Sequence, residues 1–232
     1  AIEACEFYNN SAEGGGGGLH AAQNTYAMNI INNVFESNFS NYCGGAIQLE
    51  EQNNEVTISQ VSLLSNKAQY GGGICILTGN VDVSNLVVSD NEATKGGGMY
   101  LKHVSGTIAN IVVDDNEAGT GAGMAIRGST QLKVVNSIVT NNNGVGVDVQ
   151  GHLSSWSYSN VYGNTDGRFS GFSDPTGDEG NIAGDPGFVC AGTDYQLLTT
   201  SVCVDAGDPS ITDWDGTTSD MGAYGGPSGA WP

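Results

Sequence analysis

The sequence predicts an all-β protein, a right-handed parallel β-helix of about seven coils with an irregular C-terminal cap. A short motif recurs seven times, one asparagine keeps its place in every copy, and the chain contains 36 glycines among its 232 residues. Glycine and asparagine disfavour helix interiors and suit tight turns, so their abundance favours many short strands. One coil of about 25 residues cannot bury its own apolar face, so the copies must stack.

The repeat consists of an apolar residue, two variable positions and an asparagine, with spacings of 28, 28, 25, 25, 26 and 22 residues between successive asparagines. In the first five copies a small residue follows the asparagine by two positions, and a glycine follows it by seven. Stacked asparagines can hydrogen-bond along the axis and satisfy their own buried amides. We therefore assign a structural role to this column, which runs from Asn10 through Asn38, Asn66, Asn91, Asn116 and Asn142 to Asn164.

A second polar column lies six residues before the first. Its members are Asn32, Gln60, Asn85, Asn110 and Asn136, with Ala4 and Tyr158 at its ends. We expect the same kind of ladder there. Around both columns apolar residues alternate with period two, as at Val81 and Val83, which is typical of strands. These patterns place the β-helix coils at residues 1–180, followed at residues 181–232 by a capping segment and the start of a linker.

Charge excludes one class of function. Six Lys and Arg side chains stand against 25 Asp and Glu, a net charge of −19, so a nucleic acid would be repelled and we expect none as a partner. No run of eighteen apolar residues occurs, and we expect no membrane span. Because Ala1 already lies inside the repeat, we expect earlier coils and an export signal upstream. An uncapped first coil would also allow end-to-end self-association.

Two segments resemble a known family. Residues 35–40 read Phe-Glu-Ser-Asn-Phe-Ser and residues 44–47 read Gly-Gly-Ala-Ile. They resemble the repeat of polymorphic outer-membrane proteins, which are secreted bacterial β-helices of the pectin-lyase-like superfamily, and residues 1–165 carry this resemblance. The stretches 194–198 (Asp-Tyr-Gln-Leu-Leu), 203–209 (Cys-Val-Asp-Ala-Gly-Asp-Pro) and 215–226 (Asp-Gly-Thr-Thr-Ser-Asp-Met-Gly-Ala-Tyr-Gly-Gly) are similar to the closing segment of many bacterial surface β-helix proteins. The resemblance implies an extracellular or bacterial cell-surface location and leaves the activity open, because the superfamily contains adhesins as well as lyases and hydrolases.

The five cysteines cannot all pair within the chain. Cys190 and Cys203 bracket a 12-residue stretch of the closing segment beside turn-forming residues, and we expect a disulfide between them. The other three cysteines, Cys5, Cys43 and Cys75, occupy different columns of the repeat. We therefore expect these three to be small buried residues, with no disulfide and no zinc site.

The best enzymatic candidate is a cationic pair. Lys102 and Arg127 each lie eleven residues after their asparagine and so share a column on neighbouring coils, with Tyr100 and His103 beside Lys102. A polysaccharide lyase must neutralise a uronate carboxylate with Ca²⁺ or arginine and remove a proton with a Lys, Arg, His or Tyr base. Alternatively, the pair only offsets neighbouring acids, and a charge of −19 opposes binding of a uronic-acid polymer.

Two acidic clusters are candidate Ca²⁺ sites. The first is a vertical strip in which like charges stack one coil apart, formed by Asp90, Glu92, Asp115 and Glu117. The second lies in the closing segment and comprises Asp205, Asp208, Asp213, Asp215 and Asp220. Within it Asp213 and Asp215 precede a glycine as in a calcium loop, although no glutamate closes that loop. The alternatives are a solvated acidic edge for the strip and aspartate-capped turns for the second cluster.

Aromatic residues of a late coil give a sugar-binding candidate. Trp156 and Tyr158 precede a glycine-rich excursion against which a sugar ring could stack, and the alternative is a plug at the end of the core. The sequence as a whole favours a non-enzymatic adhesin, stalk or surface structural protein. Its expected partners are polysaccharides, cell-surface glycans or other surface proteins, and Ca²⁺ is the expected candidate cofactor. The alternative is a polysaccharide lyase or glycoside hydrolase.

Overall fold

The computed structural model describes residues 1–23, 26–52, 54–129 and 131–231, which form 22 short strands. These are β1 Ile2–Glu3, β2 Glu6–Tyr8, β3 Ser11–Ala12, β4 Leu19–Ala22, β5 Met28–Glu36, β6 Phe39–Ser40, β7 Ile47–Glu50, β8 Val56–Leu64, β9 Lys67–Tyr70, β10 Ile74–Ser89, β11 Glu92–Lys95, β12 Met99–Asp114, β13 Glu117–Ala118, β14 Met124–Ser129, β15 Gln131–Val135, β16 Ile138–Thr140, β17 Val147–His152, β18 Ser155–Ser157, β19 Asn160–Tyr162, β20 Phe169–Ser170, β21 Phe188–Cys190 and β22 Asp194–Leu197. Within those residues no helix is long and apolar enough to cross a membrane.

Successive coils pair in parallel and in register. Val83 lies opposite Ile58 of the preceding coil and Ile108 of the following one, so the 25-residue repeat becomes one step along the axis. Fifteen strands form one continuous sheet, and a five-stranded parallel sheet in the order β13-β11-β9-β6-β3 adds another face to the first five coils. This arrangement confirms the predicted all-β solenoid of about seven turns.

The core is a column of aliphatic side chains inside the coils. Ile58, Ile76, Leu101 and Ile108 are fully buried, as are the equivalent positions of most coils. Burying a side chain of this size stabilises the fold by about 1.5–3 kcal/mol, and stacking supplies the neighbours that a single coil lacks.

The first asparagine column forms a hydrogen-bonded ladder. The Asn66 amide nitrogen donates to Asn91 Oδ1 at 3.0 Å, and the Asn91 amide donates to Asn116 Oδ1 at 2.9 Å. The same oxygens accept the backbone N–H of the preceding asparagine, for example from Asn66 to Asn91 at 2.9 Å. Contacts of this kind run from Asn10 to Asn164, so the buried amides satisfy one another along the axis.

The second polar column does not form the expected ladder. Its five members share a left-handed backbone conformation with φ between 51° and 55°. The Asn85 amide donates to the carbonyl of Ala223 at 2.9 Å, and the Asn110 amide donates to that of Asp220 at 2.9 Å. Asn136 Oδ1 accepts the N–H of Asp208 at 2.7 Å. These side chains hold the C-terminal segment, residues 181–231, against the coils. The spacing of the repeat does not encode such long-range contacts.

The C-terminal segment covers one side of the coils rather than only their end. After a last partial turn, in which Ile182 N–H donates to the Ser159 carbonyl at 3.0 Å, the chain runs back toward earlier coils. A second buried cluster forms beneath it, in which Val87, Val112 and Ile138 of the coils meet residues of the segment, namely Tyr195, Cys203, Met221, Ala223 and Trp231.

The predicted cysteine pairing is wrong, although Cys43 and Cys75 are buried as expected. Cys43 and Cys75 form a disulfide with a Cα–Cα distance of 5.7 Å, whereas Cys190 and Cys203 are free. Cys203, which belongs to the C-terminal segment, is buried between that segment and the coils. Cys5 is free and exposed rather than buried. The turn at Gly44 folds the chain so that two different columns meet diagonally on adjacent coils, which counting along the chain does not reveal.

Candidate functional site

A groove of about 380 Å³ opens on the outer face of β7, β10 and β12. Strand alternation turns Glu50, Leu77 and Lys102 outward on successive coils, where they form one row of the groove. The remaining described lining comes from the segments after β6 and β7, namely Tyr42, Cys43 and Glu51, and from strands β9 to β12, namely Tyr70, Thr78, Lys95, Tyr100 and His103. The groove therefore combines aromatic rings with charged groups of both signs.

Three tyrosines from successive coils form one wall of the groove. The ring centroids of Tyr42 and Tyr70 are 5.5 Å apart, and those of Tyr70 and Tyr100 are 5.1 Å apart. Burial raises the pKa of Tyr100, so its phenol keeps its proton at neutral pH. The disulfide from Cys43 to Cys75 joins the coils beneath this wall and restrains their separation.

Lys102 and His103 both line the groove and are exposed. His103 has a left-handed backbone with φ 54°, and its imidazole lies against Gly128 of the next coil. Any side chain at position 128 would collide with that ring, so this glycine permits the close approach. Two groups able to transfer protons therefore stand beside each other at the groove.

Arg127 lies beside Lys102 in the backbone register but not in the groove lining. Only 9% of its surface is exposed, and its Nη2 lies 2.7 Å from Asp148 Oδ2 in a buried ion pair. Its Nη1 also donates to the carbonyls of Ile126 and Asp148 at 2.9 and 3.0 Å. The guanidinium thus ties two coils together: Nη1 donates hydrogen bonds, whereas Nη2 is held by the ion contact with Asp148 Oδ2 without hydrogen-bond geometry. Among the described residues that line the groove, no arginine accompanies Lys102.

The acidic strip borders a recess of about 550 Å³. Lys67 Nζ lies 2.5 Å from Glu92 Oε1, and Ser65 Oγ donates to Asp90 Oδ2 at 2.7 Å, so two of the four carboxylates have partners. Burial, followed by the charge of Asp90, raises the pKa of Asp115. Together with Glu117, these carboxylates remain the predicted calcium-binding strip.

The predicted second calcium site is a hydrogen-bonded turn. Asp215 Oδ1 accepts the backbone N–H of Thr217 at 3.0 Å and its hydroxyl at 2.8 Å. The Asp213 carboxylate accepts the N–H groups of Asp220 and Gly226. Across the described part of the chain, no group of three or more His, Cys, Asp or Glu residues is arranged to hold a metal ion. Calcium binding at either cluster stays a prediction.

Trp156 and Tyr158 both pack inward. Only 3% of the Trp156 surface is exposed, and its ring meets Phe169 edge-on at a centroid distance of 5.4 Å. The Tyr158 ring lies against the backbone of Gly180, beneath the C-terminal segment. Neither ring is presented broadly to solvent, which is the arrangement expected if these residues plug the end of the core.

Trp214 is an aromatic residue that the sequence reasoning missed. It is 69% exposed and borders a second recess, on the C-terminal segment. The signal in the sequence was its place between Asp213 and Asp215, because a tryptophan in a tight polar turn cannot be buried by that turn.

Comparison with known proteins shows the family. A family model described as "Right handed beta helix region" matches residues 1–166. No curated protein and no solved structure matches the chain.

Proposed function

The chain belongs to the right-handed β-helix family, and from that premise we propose that it is a bacterial extracellular or cell-surface rod that acts by binding, as an adhesin or surface structural element. Stacked coils in register give a stiff, elongated scaffold with side chains at regular intervals, which suits adhesion or a stalk. A disulfide and a net charge of −19 are compatible with an oxidising, extracellular setting and with high solubility.

One observation carries the non-enzymatic part of this proposal. Arg127, the arginine in the same column as Lys102 that could neutralise a uronate carboxylate, is held in the buried ion pair with Asp148. Releasing it would leave a buried carboxylate unpaired, which costs about 3–5 kcal/mol. The guanidinium therefore supports the stacking of the coils and is not available to neutralise a substrate.

A cell-binding assay, together with incubation with a panel of acidic and neutral polysaccharides in the presence of Ca²⁺, tests this proposal. We expect the chain to bind bacterial or host cell surfaces and to release no soluble product from any member of the panel. Product release by the wild-type chain would contradict the proposal.

A polysaccharide-active enzyme is the second candidate, and the groove favours it. Lys102 and His103 stand beside Glu50 and Glu51 there, which provides both basic and acidic groups along an aromatic wall. If product appears and Lys102→Ala abolishes it without altering the unfolding transition, the enzyme proposal replaces the adhesin proposal.

A further inference from the structure

Trp214 is set apart from the other two tryptophans by its exposure. It is 69% exposed, whereas Trp156 and Trp231 are 3% and 9% exposed. A large aromatic ring left in water forgoes the stabilisation that burial would give, and an exposed ring beside a recess is typical of a binding surface.

The turn that carries Trp214 is held rigidly. Asp213 N–H donates to the Thr217 carbonyl at 3.0 Å, and Gly216 N–H donates to the Asp213 carbonyl at 3.0 Å. The Asp213 and Asp215 side chains accept further hydrogen bonds from Asp220 and Thr217, as described above. The backbone that carries the ring is therefore held in one conformation, so a ligand that stacks on Trp214 does not have to order the turn as well.

The recess beside Trp214 measures about 410 Å³ and combines aromatic walls with polar groups. Tyr224 and Trp231 stack there with ring centroids 5.4 Å apart, and Trp231 Nε1 donates to the Ala223 carbonyl at 2.9 Å. Gln196 and Asp220 also line it and supply an amide and a carboxylate. Apolar faces next to a few fixed polar groups are the usual composition of a small-ligand site.

A sugar ring matches this surface, because it has an apolar face that can stack on indole and an edge of hydroxyl groups. Within the described lining of the recess there is no Lys, Arg or His, while Asp213, Asp215 and Asp220 place negative charge close by. Uronate and sulfated glycans would be repelled by these carboxylates. A neutral saccharide avoids that repulsion and can donate hydroxyl hydrogens to Asp220.

We propose that Trp214, with Gln196 and Asp220, forms a binding site for a neutral saccharide on the C-terminal segment, apart from the tyrosine-lined groove. This site supplies a ligand class for the surface-binding rod proposed above and, as a biological role, rests on that proposal. The groove and the Trp214 site are built from different parts of the chain, so each can be altered without the other.

Acrylamide quenching of tryptophan fluorescence tests the site directly, because Trp214 is the highly exposed tryptophan and the other two are buried. The probes are linear oligosaccharides of glucose, mannose, galactose and N-acetylglucosamine, with an oligogalacturonate as the acidic comparison. We expect at least one neutral oligosaccharide to reduce quenching about twofold or more at saturation, and the oligogalacturonate to have no effect.

Three variants complete this test. Trp214→Ala and Gln196→Ala should weaken binding of the active oligosaccharide in calorimetry by about tenfold or more, while Tyr42→Ala in the groove should leave it unchanged. The inference is overturned if none of the neutral oligosaccharides protects Trp214 from quenching. It is also overturned if Tyr42→Ala is the one variant of the three that loses binding.

Cell-binding assays separate this inference from the proposed function. If wild type and Trp214→Ala bind cells equally, the saccharide site is refuted as the adhesive site and the rod proposal stands. If wild type binds no cells, the rod proposal fails, and oligosaccharide protection still decides the site. Cell binding that depends on Trp214 is also measured after treating the cells with protease or with glycosidase. If protease abolishes this binding and glycosidase does not, the partner is a protein and the saccharide assignment is overturned.

Discussion

The Tyr195 hydroxyl donates a hydrogen bond to Asp114 Oδ2 at 3.0 Å beneath the C-terminal segment. Ser89 Oγ lies 2.6 Å from the same hydroxyl, and the Asn141 amide donates to the other carboxylate oxygen at 2.9 Å. Burial raises the pKa of Asp114, and the bonds from Asn141 and Tyr195 offset part of that rise. A buried carboxylate on one coil is thus stabilised by a residue 81 positions away, which fastens the segment to the coils.

Tyr195→Phe should destabilise the fold by about 1–3 kcal/mol at neutral pH, because the ionised Asp114 carboxylate loses a buried donor. The pKa of Asp114 is raised above its ordinary value of 3.8 in the folded state, so ionisation of this carboxyl group destabilises the fold. That lost stability returns as the pH falls through the raised pKa. The difference between variant and wild type should therefore shrink in mildly acidic solution. Urea unfolding at neutral and acidic pH measures this.

Tyr162→Phe is the matched control for that experiment, because Tyr162 stands at the strand position of Asp114 two coils later and is 40% exposed. We expect its effect to stay within about 0.5 kcal/mol. Equal losses in the two variants would show that the buried hydroxyl has no special role.

Asn91→Ala should lower the free energy of unfolding by about 3 kcal/mol or more. Its Oδ1 accepts two hydrogen bonds from Asn66, and its amide donates to Leu63, Ser89 and Asn116, so removing it leaves several buried groups unpaired. Chemical denaturation measures the loss. The exposed Asn143→Ala is the control and should be neutral, and a neutral Asn91→Ala would contradict a stabilising ladder.

The sequence predicts the contacts between equivalent positions of stacked coils. It does not predict the contacts between positions that are not equivalent. The ladder of Asn66 and Asn91 is confirmed, because the repeat places the two residues one above the other. Asn110 has the same spacing, yet it binds Asp220, which lies in a segment without any repeat. Cys43 and Cys75 meet through a turn that brings two columns together, and Arg127 finds Asp148 on a shortened coil. Contacts of these kinds depend on how the chain folds back, and periodicity carries no information about that.

Replacing both Cys43 and Cys75 by alanine should destabilise the chain by about 3 kcal/mol, because the disulfide closes a loop with a sequence separation of 32. Cys190→Ala should have no measurable effect, since that thiol is free and exposed. Melting temperatures with and without reductant, together with thiol alkylation and mass spectrometry, provide the measurement. Peptides linking Cys190 to Cys203 would contradict the assignment.

Asp115→Asn should stabilise the fold by about 0.5 kcal/mol at neutral pH, a small effect because water screens exposed charges. Burial and Asp90 raise the pKa of Asp115, so its ionised form destabilises the folded state. This gain should vanish as the pH falls below 3.8, where the carboxyl group is protonated in both states. Asparagine also tolerates the left-handed backbone at this position, with φ 54°.

Urea unfolding across this pH range compares Asp115→Asn with the exposed Asp82→Asn, which should be neutral. A less stable Asp115→Asn chain would contradict the repulsion between Asp90 and Asp115. If added Ca²⁺ raises the melting temperature of wild type but not of this variant, the predicted calcium site at the strip is supported.

Binding without chemistry is the central claim, and a biosensor carrying immobilised cell-surface glycan tests it in one trace. Binding raises the signal, release returns it to the starting baseline, and cleavage of the glycan lowers that baseline. We predict a clear binding phase for wild type, followed by full return to the baseline, because Arg127 is paired to Asp148 and is not available to a substrate. A baseline that falls after each exposure, and that no longer falls with Lys102→Ala, would contradict the claim and identify an enzyme.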